Sequence, residues 1–186
     1  MAYIRGGSLN ENEFPPFKNI RQSFGFVPNF YRAQTLRPDL IESQVPWVEN
    51  LLVKDGALER RQKEYIFLVC SAANMSTYCV TAHCEMVRML GIHGPEPEQL
   101  AVDPMHSDIP LPDKALLAFA LNLNKEPRKI GADDIEELRT YGFDDAHILE
   151  AILVVGLAHY ANIVSFGLGT VPDFDATRIQ PLTQER

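Results

Sequence analysis

Apolar positions along the chain recur every three or four residues and nowhere alternate over a strand-length run, so the pattern predicts helices throughout. The first covers 17–24, with Phe17, Ile20 and Phe24 on one face and Gly25 placed to close it. Pro28 starts a short helix to about residue 35, and Pro38 starts another to about residue 54. Pro46 is expected to kink or split the latter, because it removes a ladder donor. After the turn Lys54-Asp55-Gly56, a central helix runs over about 58–74, and a second over 77–90 is stopped by Gly91. The connection 92–112 carries prolines at 95, 97, 104 and 110 and ends on Pro112, with room for a short helix around 97–101 and with Ile109 and Leu111 expected to turn inward. Leu116, Leu117, Ala120 and Leu123 share a face of a helix over 112–124. A helix over 132–141 follows, opening on Asp133 and Asp134 as the helix dipole prefers. Asp144 or Asp145 caps the last helix, to about residue 167, whose stretch 148–155 is apolar nearly all round and so belongs centrally or between subunits. Residues 1–16 and 170–186 read as arms. The expectation is an all-α protein with a single domain spanning 1–186 and a core over about 38–169, the proline-rich connection dividing two helical halves.

Composition narrows the function more than the fold. With 186 residues, 46% apolar and 23% charged, the chain has ample length to bury a core. Its 17 basic residues against 25 acidic ones give a formal net charge of −8, and no basic cluster is present, which argues against a nucleic-acid partner. The beginning of the chain lacks the apolar run of a secretory signal. Apolar runs such as 151–157 fall short of the ~20 residues of a membrane span, so no membrane partner is expected. Three cysteines are few and odd in number for a disulfide framework, and a cytoplasmic location follows as the expectation.

The chemistry concentrates between Glu64 and His83. Cys79 and His83 stand at i and i+4 on one helix face, while Glu64 would lie about 22 Å from Cys79 on a straight helix. A turn through Asn74-Met75-Ser76-Thr77 folds the second helix back and lets the three converge. With Ser76 or Thr77 as N-cap, Cys79 becomes a first-turn residue. Helix-start amides and His83 then both favour its thiolate, and a titration below the ~8.5 of a free cysteine is expected. The histidine can relay a proton and the carboxylate can orient it. The plain alternative is a buried small residue, a surface histidine, and a glutamate continuing the solvated face Glu59-Arg60-Arg61-Gln62-Lys63. The spacing alone leaves both open.

The stretch Glu64-(x)-Ser76-x-Tyr78-Cys79-x-x-x-His83 resembles the motif Glu-(x)n-Cys-x-x-Cys-x-x-x-His of the carboxymuconolactone decarboxylase and alkylhydroperoxidase D (AhpD-like) family. The segment from Phe24 to Tyr31 resembles the opening of its peroxidase-related branch. So does the tail running from Ile148 to Gly169, and the likeness extends over nearly the whole chain. The resemblance implies an AhpD-like helical bundle and a homo-oligomer. It further implies Cys79 as attacking cysteine, His83 as proton relay and Glu64 as the relay's carboxylate. Ser76 stands where the family has its first cysteine, so the intramolecular disulfide of the peroxidase members cannot form. The implied activity is reduction of organic hydroperoxides or hydrogen peroxide by one attacking cysteine, regenerated by an external thiol or protein reductant. The alternative is acid–base lyase chemistry on a small carboxylated substrate, in the manner of the decarboxylases. A decayed, non-catalytic binding site is a third reading, opposed by the complete Glu64–Cys79–His83 set.

Other residues carry less. Tyr78 and Ser76 are expected to line the site, and the family's packing of its last helix adds His159, although a histidine on so apolar a helix is more often a core residue. Cys70 and Cys84 share faces with apolar neighbours and read as packing. His93 and His106 fall in the proline-rich connection and read as exposed. A metal held by Cys79, His83, Glu64 and His93 lacks a ligand spacing of known type. With no phosphate loop or dinucleotide fingerprint either, neither metal nor cofactor is expected.

Overall fold

A computed structural model describes residues 3–176, so Met1, Ala2 and residues 177–186 of the expected arms lie outside the described residues. Among the described residues the secondary structure is helical, with no strand, as the apolar spacing predicts. Its helices are α1 (Pro15–Phe24), α2 (Asn29–Arg32), α3 (Pro38–Val48), α4 (Arg60–Ala73), α5 (Thr77–Met89), α6 (Pro97–Val102), α7 (Leu111–Lys125), α8 (Ala132–Thr140) and α9 (Asp145–Leu168).

The fold is built around α4. A reciprocal cap between Glu59 and Gln62 starts it, and α5, α6, α7 and α9 all pack on it, so that residues 63–71 are buried without interruption. That burial includes Lys63, which the sequence places on a solvated face. Its Nζ donates to the Lys54 carbonyl at 2.8 Å and pairs with Glu150 of α9 at 2.9 Å. Glu150 also accepts from the Leu58 amide at 2.6 Å, so the start of α4 is tied to α9 by a fully partnered buried charge pair.

The turn between α4 and α5 is the hinge of the site. The amide of Ser76 donates to the Ser71 carbonyl at 2.9 Å and that of Met75 to the Ala72 carbonyl at 2.9 Å, the double closure of a Schellman cap. Such a cap needs one left-handed residue, and here it is Met75, at φ 57°, where a side chain costs about 1–2 kcal/mol. The Asn74 side chain offsets part of that strain, its Nδ2 donating to Asn124 Oδ1 at 3.0 Å and Asn162 Oδ1 at 2.9 Å. The chain thereby reverses within three residues and α5 returns alongside α4.

Pro46 does not split its helix. α3 runs through it and passes into a π-helical turn, Glu49–Val53. In the connection Ile109 turns inward as expected, but Leu111 is exposed at the first position of α7. Asp144 is the cap of α9, accepting from the amides of Ala146 and His147 at 2.9 and 3.1 Å. At 24 residues α9 is long and apolar enough to cross a membrane by length and composition, which the short run 151–157 did not suggest. One side of it is buried against α4, α5 and α7, and the other exposes Leu149, Leu153, Ile163 and Phe166.

Candidate active site

The reversal at Met75 brings Glu64 opposite His83. Glu64 Oε2 and His83 Nδ1 are 2.6 Å apart, with Glu64 fully buried and the His83 side chain 14% exposed. The other carboxylate oxygen, Oε1, accepts from Arg60 Nε at 2.7 Å, one helical turn earlier. Burial alone would raise the Glu64 pKa, but His83 and Arg60 outweigh it and hold the carboxyl below its ordinary value. Phe67 stacks on the imidazole with centroids 3.8 Å apart and fixes the ring plane. Since Nδ1 is committed to Glu64, Nε2 is the nitrogen left for proton exchange.

Cys79, Glu64, His83, Arg60 and Tyr78 all line one cavity of about 320 Å³ between α1–α3 and the α4–α5 pair. Its remaining wall is largely apolar and aromatic, including Phe24, Phe26, Phe30, Phe67 and Phe174. Among the described residues no hydrogen bond joins Cys79 to His83; the cavity is what they share. The Tyr78 hydroxyl accepts from the Phe30 amide at 3.0 Å and donates to Asp173 at 2.7 Å, and Asp173 also accepts from the Asn29 amide at 3.0 Å. This contact lays the start of the C-terminal arm along the cavity, with Phe174 edge-on to Phe26.

Three expectations require correction. The Cys79 pKa is raised, not lowered. The side chain is buried, and desolvation outweighs the hydroxyls of Ser76 and Ser165 and the amide of Asn162, all of which favour the thiolate. Ser76, expected to line the site, lies outside the cavity lining; it occupies the position before α5 but makes no capping bond, its buried hydroxyl having no hydrogen-bond partner of ordinary length. His159 lies outside the cavity lining; it is exposed, and its Nδ1 is 3.3 Å from Asn124 Oδ1. Cys70 and Cys84 are buried apart from the site, and burial pushes each thiol up to about 12. The sequence reading did not place Arg60, Phe67, Asn162, Ser165 or Asp173 in the site. The i, i+4 spacing of Arg60 and Glu64 was a usable signal for the first, while Asp173 lies too distant along the chain for any local pattern to find.

No protein-family model matches the chain, and none of the curated proteins does. Solved structures do match. The alkylhydroperoxidase AhpD core of an uncharacterized peroxidase-related protein from Ralstonia eutropha JMP134 is 28% identical, with a TM-score of 0.83 over 92% of this chain and 93% of that one. An uncharacterized peroxidase-related protein from Silicibacter sp. TM1040 is 24% identical, with a TM-score of 0.83 over 91% and 89% of the two chains. The debrominase Bmp8 in complex with 2,3,4-tribromopyrrole shares the fold at 16% identity, with a TM-score of 0.79 over 99% of each chain. The chain is thus AhpD-like, similar over nine-tenths of its length to peroxidase-related proteins. Bmp8 shows that the same fold is not confined to peroxidases.

Proposed function

We propose that the protein is a thiol-dependent peroxidase in which Cys79 attacks an organic hydroperoxide or hydrogen peroxide. The observation that supports this reading is that Cys79 and a histidine held by a buried carboxylate open onto one apolar cavity. Because burial keeps the thiol protonated at neutral pH, proton removal has to accompany attack, and Nε2 of His83 is the base for it. The sulfur bonds to one peroxide oxygen, the O–O bond breaks, and the electron pair leaves on the other oxygen. His83 returns the proton to that oxyanion, giving an alcohol, or water when the oxidant is hydrogen peroxide, and Cys79 becomes a sulfenic acid. An external thiol then expels water from the sulfenic acid to give a mixed disulfide, and a second thiol releases Cys79. The reductant is external because position 76 carries a hydroxyl and the other two cysteines are buried elsewhere.

A carboxylated lyase substrate finds a poorer fit. Arg60 and His83 are the basic side chains of the described cavity lining, and Glu64 already engages both. The exposed apolar side of α9 is where a second copy of the chain would dock, since a patch of Leu149, Leu153, Ile163 and Phe166 is unusual on a monomer. A reducing cytoplasm is the compartment that keeps Cys79 a free thiol. Hydroperoxide consumption in the presence of dithiothreitol tests the activity: the wild type turns over and Cys79→Ser does not. Equal turnover by that variant would refute it.

A further inference from the structure

Behind Cys79, on the side away from the cavity's hydrophobic wall, the core is polar where an apolar core would be expected. Ser165 Oγ of α9 lies 3.7 Å from Cys79 Sγ. One turn before it on the same helix is Asn162, 2% exposed, whose Oδ1 accepts from Asn74 at 2.9 Å and whose Nδ2 donates to Ser71 at 3.0 Å. With Oδ1 so engaged, the amide's orientation is fixed and Nδ2 keeps a second N–H. Ser76, 1% exposed, closes the group from the start of α5 with a hydroxyl that finds no other partner. A buried hydroxyl left unpaired is a cost unexplained as architecture, and it is recovered once the neighbouring sulfur becomes an anion that accepts from it.

We infer that Ser165, Asn162 and Ser76 form a donor cradle that stabilises the thiolate of Cys79 from behind, while His83 manages its proton from the cavity side. Each group can present an N–H or O–H to an anionic sulfur, and a thiol needs at most one acceptor among them, so the set is matched to the charged form. Burial opposes the charged sulfur, and the hydroxyls of Ser76 and Ser165 and the Asn162 amide all act the other way. The division of labour between the two sides follows from the fold. α9 supplies the cradle at i and i+3, and the Schellman turn sets Ser76 one helical turn before Cys79. These three are positioning residues, acting through the sulfur.

The inference rests on Cys79 being the reacting group, not on which electrophile it meets, so iodoacetamide is the probe. Alkylation of the Cys79 peptide is followed by mass spectrometry across pH in the full-length wild type, Ser165→Ala, Ser76→Ala and Ser165→Thr, with thermal melts to confirm folding. Ser165→Ala should move the inflection upward by about one pH unit, so that the rate at a fixed pH below it falls about tenfold. Ser76→Ala should shift it in the same direction, and Ser165→Thr, which keeps the hydroxyl, should restore the wild-type profile. Both alanine variants tracing the wild-type profile would overturn the cradle alone. A wild-type Cys79 that resists alkylation at every pH would instead remove the cysteine assignment and the cradle with it.

Discussion

His83 Nδ1 faces Glu64 Oε2 across 2.6 Å, and this single contact decides which imidazole nitrogen serves the cavity. It joins α4 to α5 over a sequence separation that a straight helix would turn into more than 20 Å (~1.5 Å per residue), and it is made possible by one left-handed residue, Met75.

Removing the charge while keeping the shape tests the relay. Glu64→Gln leaves an acceptor for Arg60 but no anion beside the imidazole, so the reaction of Cys79 with hydroperoxide should slow by about 10²–10⁴-fold, the usual worth of general acid–base help. His83→Ala should cost at least as much. Stopped-flow oxidation of Cys79 at neutral pH is the measurement, and an unchanged rate in Glu64→Gln would remove the carboxylate from the mechanism.

The same carboxylate predicts a pH dependence of stability. Its folded pKa lies below the ordinary glutamate value, so its contribution is fully present above the unfolded value, about 4.3, and is lost as pH falls through the lower folded value. The stability difference between wild type and Glu64→Gln should therefore be constant at neutral pH and shrink progressively below about pH 4. Urea unfolding at a series of acid pH values checks the sign.

Much of this was legible in the chain before its coordinates. Helix periodicity, the glycine stops at 25 and 91 and the Asp144 cap all depend on local spacing, and the structure reproduces them to within a few residues. The approach of Glu64 to His83 was legible as one of two readings, because a turn at Asn74–Thr77 could fold the second helix back; the resemblance, not the spacing, favoured it. What local pattern could not carry was the environment. Cys79 at a helix start suggested a lowered pKa, but the fold buries the sulfur, and desolvation wins over the side chains of Ser76, Ser165 and Asn162. Lys63 within a charged run looked solvated, yet α4 is covered on all sides and Glu150, 87 positions along the chain, supplies its counter-charge. His159 was placed in the site from the resemblance and sits exposed beside Asn124 instead.

That buried Lys63–Glu150 pair gives a further test. Lys63→Met leaves the half-buried Glu150 with the Leu58 amide as its remaining partner, and breaking a buried pair costs about 3–5 kcal/mol, an upper bound here. The double variant Lys63→Met with Glu150→Gln should regain a substantial part of that loss in chemical denaturation. Equal losses in the single and double variants would show that packing, not the charge, sets the cost.

Ser76→Cys asks whether position 76 faces the reactive sulfur. Because the wild-type hydroxyl makes no cap bond, the substitution should leave stability nearly unchanged. After one equivalent of hydroperoxide the variant should be lighter by two hydrogens and carry a disulfide between positions 76 and 79, since an intramolecular thiol no longer depends on reductant concentration. Two free thiols persisting beside an oxidised Cys79 would contradict the placement.

The central claim is that Cys79 is the atom oxidised. The most direct measurement is to treat the full-length protein with one equivalent of an organic hydroperoxide, trap with a sulfenic-acid-selective 1,3-diketone, and locate the adduct by peptide mass spectrometry. The adduct is predicted on Cys79, at up to one per chain, and slowed in Glu64→Gln and His83→Ala. An adduct on Cys70 or Cys84, or peroxide consumed with Cys79 unmodified and reduced throughout, would contradict it.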